Sequence, residues 1–86
     1  MLKRYLFFMT PMCPNCAEIH DYMATVKLPG DEIDATEDSG RALAEKWEVM
    51  SVPTLIFLSN DGREQARASS ISEVEKITKN RSLLDV

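Results

Sequence analysis

The stretch LKRYLFFMTPMCPNCAEIHDYMATV, residues 2–26, decides how the chain folds. Apart from Lys3 and Arg4, residues 2–9 are nearly unbroken in apolar character and stop at Thr10 and Pro11, the pattern of a strand buried on both faces. From Pro14 the spacing turns helical: Cys16, Ile19, Met23 and Val26 recur at intervals of three and four, before Leu28, Pro29 and Gly30 end the run. Pro14 is at a favoured first-turn position. Cys13 is therefore expected at the N-terminus of a helix, with Cys16 one turn inside it.

Residues 32–35 then read as a short edge strand whose acidic members face solvent. Thr36, Asp38 or Ser39 can cap a second helix running to about Glu48, with Ala42, Leu43 and Trp47 on its inward face and Gly40 lowering its propensity. Val52 and Pro53 interrupt, and residues 54–58 form a β-rich run that leads through residues 59–62 into residues 63–68. Asp61 and Gly62, both tolerant of positive φ, signal a hairpin. Ser70 and Glu73 match a capping box, and Ile71, Val74 and Ile77 or Thr78 line one face of a last helix that frays near Asn80. Residues 81–86 carry no reading. The order is β-α-β-α-β-β-α. A right-handed crossover makes the first two strands parallel and the hairpin makes the last two antiparallel. The expected class is α/β, a four-stranded mixed sheet between helices, in one domain over residues 1–86.

Composition excludes several classes. The 86 residues are 44% apolar and 28% charged, as in ordinary globular chains, with no low-complexity segment. The net charge is −4 and the basic residues are scattered singly, which argues against a nucleic-acid partner. The longest apolar run, residues 5–9, is too short for a membrane span or a signal-peptide core, so no membrane partner and a cytoplasmic location are expected. Two cysteines three positions apart cannot staple a small secreted domain and point to redox chemistry or metal.

The two thiols have different prospects. On a helix, residues i and i+3 share a face, close enough for a disulfide across one turn. The helix dipole and its unpaired N–H groups favour negative charge at Cys13, lowering its pKa toward ~7 or below and making it the nucleophile. Cys16 shares the inward stripe with Ile19 and Met23, so it should be buried and attack only a mixed disulfide held on Cys13. Pro14 and Asn15 would tune the balance between dithiol and disulfide. The bland alternative is a structural metal half-site, for which His20, on the same helix face, is the one further soft ligand. Met12 beside Cys13 can form a soft apolar platform for a partner, Trp47 reads as packing or a helix-end anchor, and the acidic run over residues 31–38 reads as a solvated loop and edge.

Two separate signatures, Pro11-Met12-Cys13-Pro14-Asn15-Cys16 and Ser51-Val52-Pro53-Thr54, in this order on a β-α-β framework, resemble the thioredoxin/glutaredoxin superfamily over almost the full chain. The resemblance implies a cis proline at Pro53 facing the cysteine pair, with the backbone of Val52, and less directly Thr54, pairing with an extended substrate or with glutathione. Cys-Pro-x-Cys and the length look like glutaredoxin, while residues 44–54 and Asp61-Gly62 are similar to thioredoxin. Thioredoxin's Trp before the first cysteine is Met12 here, and its buried proton-accepting acid falls on Phe7, with no local carboxylate in its place. Glutaredoxin's basic residue falls on Thr10, its inter-cysteine tyrosine on Asn15, and its glutathione segment on Ala68-Ser69-Ser70-Ile71.

The expected function is that of a small monomeric dithiol–disulfide oxidoreductase. By resemblance it reduces disulfides in protein partners, ribonucleotide reductase among them, is re-reduced by a thioredoxin-reductase-type enzyme, and needs neither cofactor nor metal beyond the Cys13–Cys16 pair. The alternatives are a glutathione-dependent glutaredoxin and an iron–sulfur or metal-binding module using the same cysteines.

Overall fold

The computed structural model describes residues 2–79. The elements run β1 (Arg4–Met9), α1 (Pro14–Met23), β2 (Gly30–Asp34), α2 (Asp38–Lys46), β3 (Thr54–Leu58), β4 (Glu64–Ala68) and α3 (Ile71–Thr78). This is the expected β-α-β-α-β-β-α order. The sheet order is β2-β1-β3-β4, with β1 and β2 parallel and the other pairs antiparallel. The apolar run of β1 thus lies between two neighbours, and the acidic β2 lies at an edge.

Alternation along β1 sends Phe7 and Phe8 to opposite faces of the sheet. Phe7 joins Leu2, Cys16, Ile19, Met23, Leu55, Phe57 and Val74 under α1 and α3. Phe8 joins Ile33, Ala44, Ile56 and Leu58 under α2. All five residues of β3 are buried, which is why that strand reads as a continuous β-rich run. Tyr22 and Thr78 join their hydroxyls at 2.6 Å, tying α1 to α3.

Several local expectations are corrected. Helix α1 stops at Met23, and Val26 lies beyond it. Thr25 and Val26 close i→i+3 turns onto the Tyr22 and Met23 carbonyls, so Val26 still packs on the core without being helical. Helix α2 starts after Glu37, which gives no side-chain cap. The Thr36 hydroxyl and N–H instead donate to Asp34 Oδ1 at 2.6 and 2.9 Å. The buried face of α2 is Gly40 and Ala44, with Trp47 half-buried behind them, while Ala42 and Leu43 are exposed. Gly40 selects that face, since a Cβ there would stand 1.9 Å from the Asp34 carbonyl oxygen.

In the hairpin only Gly62 takes positive φ, at 81°. The Gly62 N–H donates to the Ser59 carbonyl and the Ser59 N–H to the Arg63 carbonyl, so the connection is a type I turn closed by a left-handed glycine. Ser70 caps α3 by accepting from the Glu73 N–H at 3.3 Å. Glu73 reaches one residue further back than a standard capping box, to the Ser69 N–H. The expected fraying near Asn80 and residues 81–86 lie outside the described residues.

Candidate functional site

Cys13 ends the loop that leaves β1 and is the N-cap residue of α1, in an extended conformation, with Pro14 in the first turn. Its N–H donates to the Thr10 carbonyl at 3.2 Å. Cys16 lies one turn on, 3% exposed, against Phe7, Ile19 and Met23. The two cysteines are joined as a disulfide with their Cα atoms 5.3 Å apart. The Cys16 N–H, in the first turn of the helix, donates to the Cys13 carbonyl at 3.2 Å and also points at Cys13 Sγ at 3.2 Å. Cys13 is half-buried, and the Pro14 and Asn15 that separate it from Cys16 are exposed. The Cys13 sulfur is therefore the one that an outside reagent meets first.

Antiparallel pairing sets Phe8 opposite Thr54, so the chain leaves β1 toward Cys13 and enters β3 from Pro53 at the same end of the sheet. The Val52–Pro53 peptide is cis, and Pro53 is buried. Val52 is half-buried and packs toward the Phe8 cluster. Thr54 is 5% exposed and its hydroxyl donates to the Ser51 carbonyl at 2.7 Å, so this side chain holds the 51–54 turn. Met12 is 90% exposed. Met50 is 93% exposed just before the Pro53 turn.

The chain end of α2 is held by Arg67, which donates to the carbonyls of Trp47 at 2.7 Å and Glu48 at 3.2 Å and pairs with Glu64. The Glu64 carboxylate raises the guanidinium's already high pKa. Trp47 thus serves as packing and helix-end anchor.

One correction concerns the acid missing at Phe7. In the parallel ladder Phe7 pairs with Glu32, which places the two side chains on the same face. Glu32 accepts from His20 Nδ1, and both line a cleft of about 280 Å³ with Cys13, Cys16 and Phe7. A carboxylate therefore does stand near the cysteines. The signal in the sequence was His20, four residues after Cys16, but its partner required the β1–β2 register. Among the described residues no three His, Cys, Asp or Glu side chains converge as a metal site. No helix among the described residues is long and apolar enough to cross a membrane.

No protein-family model matches the chain. Over 58 residues it is 31% identical to the SPbeta prophage-derived thioredoxin-like protein YosR of Bacillus subtilis, covering 67% of this chain and 70% of that protein. The chain belongs to the thioredoxin/glutaredoxin superfamily. A second superfamily member, glutaredoxin-3 of Bos taurus, is 32% identical over 56 residues, 62% of this chain and only 17% of that much longer protein. Among solved structures, thioredoxin O2 of Arabidopsis thaliana in the oxidised state superposes with a TM-score of 0.82 at 20% identity, covering 98% of this chain and 76% of that one, a likeness of fold. Thioredoxin 1 of Thermosipho africanus gives 0.70 at 27% identity over 93% of both chains. The thioredoxin-like fold and the Cys13–Cys16 pair are those of a thiol–disulfide oxidoreductase.

Proposed function

We propose that this protein is a dithiol donor to protein disulfides that behaves as a thioredoxin. The observation that carries the reading is the asymmetry of the pair, with an accessible Cys13 sulfur at the start of α1 and a buried Cys16 sulfur bonded to it. In the reduced protein the helix start and the Cys16 N–H favour a thiolate at Cys13. That thiolate attacks a substrate disulfide, expels one substrate thiolate and forms a mixed disulfide. Cys16 then attacks Cys13 Sγ, restoring the bond described here and releasing the second substrate thiol. No cofactor beyond the cysteine pair enters this cycle.

Backbone pairing of an extended substrate strand at Val52 supports partner binding in this reading, with Met12 and Met50 as exposed apolar contacts beside it. A thioredoxin-reductase-type enzyme would restore the dithiol, and ribonucleotide reductase is the target class that the family suggests. A monomer in the reducing cytoplasm fits this role.

The start of α3 supports a reductase over glutathione as electron source. Glu73 accepts there from the Ser69 N–H, the Ser69 hydroxyl and the Ser70 hydroxyl at 3.2, 2.9 and 3.3 Å. Donors that could hold a glutathione carboxylate already hold an internal one, and their bonds, led by the Ser69 hydroxyl, lower the Glu73 pKa. The deciding experiment compares reduction of the oxidised protein by NADPH and thioredoxin reductase with reduction by glutathione. Reduction by the enzyme alone is expected; turnover with glutathione alone would place the protein on the glutaredoxin branch.

A further inference from the structure

The second half of the exchange cycle needs a base. Cys16 is buried beside Phe7, Ile19 and Met23, where an anionic sulfur is costly, yet it must lose its proton to attack. Cys16 and His20 are four residues apart on α1, hence one turn apart on one face, and both line the cleft that holds Cys13. The His20 Nδ1–H donates to the Glu32 carboxylate, so in the neutral ring the lone pair is on Nε2.

We propose that His20 is the proton acceptor for the Cys16 thiol in the resolving step, and that Glu32 is the positioning residue that holds the ring. This rests on the dithiol reading above. The Cys16 proton passes to His20 Nε2, directly or through one water. The freed electron pair forms the Cys16–Cys13 bond, the bond from Cys13 to the substrate sulfur breaks, and its electron pair leaves on that sulfur. The imidazolium then returns the proton to the departing thiolate. In sum, one dithiol is oxidised and one disulfide is reduced to two thiols.

Glu32 is the charged group that the structure places against His20. Glu32 comes from β2 and Tyr5, from β1, lies near it, while Asp34 and Glu37 line a separate cleft with Gly40 and Leu43. Arg4 pairs with Asp31 at 2.5 Å in the cleft under α2, on the opposite face of the sheet from Glu32. Glu32 thus acts on His20 as a carboxylate acts on a general base elsewhere, fixing which nitrogen is free.

The test is stopped-flow oxidation of the reduced protein by dithiobis-nitrobenzoate, which releases one coloured thiolate on attack by Cys13 and a second on resolution by Cys16. His20→Gln is expected to slow the second phase roughly ten- to hundredfold, with the first phase within about twofold of wild type. Glu32→Gln should slow the second phase less. In His20→Ala, added imidazole should restore it, a response that a structural role would not give. An unchanged second phase in His20→Gln, equal slowing of both phases, or no imidazole rescue would overturn the assignment. A wild-type protein with no second phase would overturn the dithiol reading beneath it.

Discussion

The backbone N–H of Cys16 points at the sulfur of Cys13 across 3.2 Å, so the residue that closes the disulfide also places a donor on its partner. The two cysteines are therefore not interchangeable. Cys13→Ser should abolish dithiol exchange, whereas Cys16→Ser should accumulate mixed disulfides with partners, because it can attack but not resolve. Mass spectrometry of complexes trapped in a lysate distinguishes the two. Iodoacetamide at neutral pH should label Cys13 first in the reduced protein, and preferential labelling of Cys16 would reverse the roles.

Gly40 meets the Asp34 carbonyl where α2 crosses the end of β2. Adding a methyl group there forces the helix off the sheet, and Gly40→Ala is expected to cost about 1–3 kcal/mol despite alanine's higher helix propensity. Urea denaturation measures this. A stabilised variant would mean that helix propensity decides at this position instead.

Glu48 follows α2 with φ of 55°, the left-handed conformation of a helix-ending Schellman turn, and the Val49 N–H reaches back to the Ala44 carbonyl at 2.7 Å. A side chain in that conformation costs roughly 1 kcal/mol that glycine avoids. Glu48→Gly should therefore raise stability by about that amount, or about 4–8 °C in Tm for a domain of this size. Calorimetry with an unchanged or lower Tm would argue against strain at this residue.

The Glu73 carboxylate is held below its ordinary pKa, chiefly by the Ser69 hydroxyl and then the Ser69 N–H. A carboxyl group with a lowered folded-state pKa contributes stability above its unfolded value and loses it as pH falls through the folded value. Wild type should therefore melt above Glu73→Gln near about pH 7, and the gap should narrow toward about pH 3. A gap that stays constant with pH would mean that the carboxylate's charge plays no part.

Much of the site could be read locally. The Cys13–Cys16 pair depends on two positions one helical turn apart, the Ser70 cap on three consecutive peptide units, and the glycine at position 62 on its own backbone freedom. Short-range sterics and hydrogen bonding dominate such features, so residue type and spacing carry them. The inward face of α2 was different. Ala42 and Leu43 are the more apolar choice, but the close approach of Gly40 to Asp34 turns Gly40 and Ala44 inward.

The order of elements, the place of the cysteines at a helix start and the burial of Cys16 are legible in the residues alone, because each follows from periodicity within a single segment. The position of Glu32, beside Phe7 and against His20, comes instead from the assembled fold. That placement depends on the register between two parallel strands, and a slip of one residue would send Glu32 to the opposite face of the sheet. Register is set by the packing of both faces at once, which no single segment encodes.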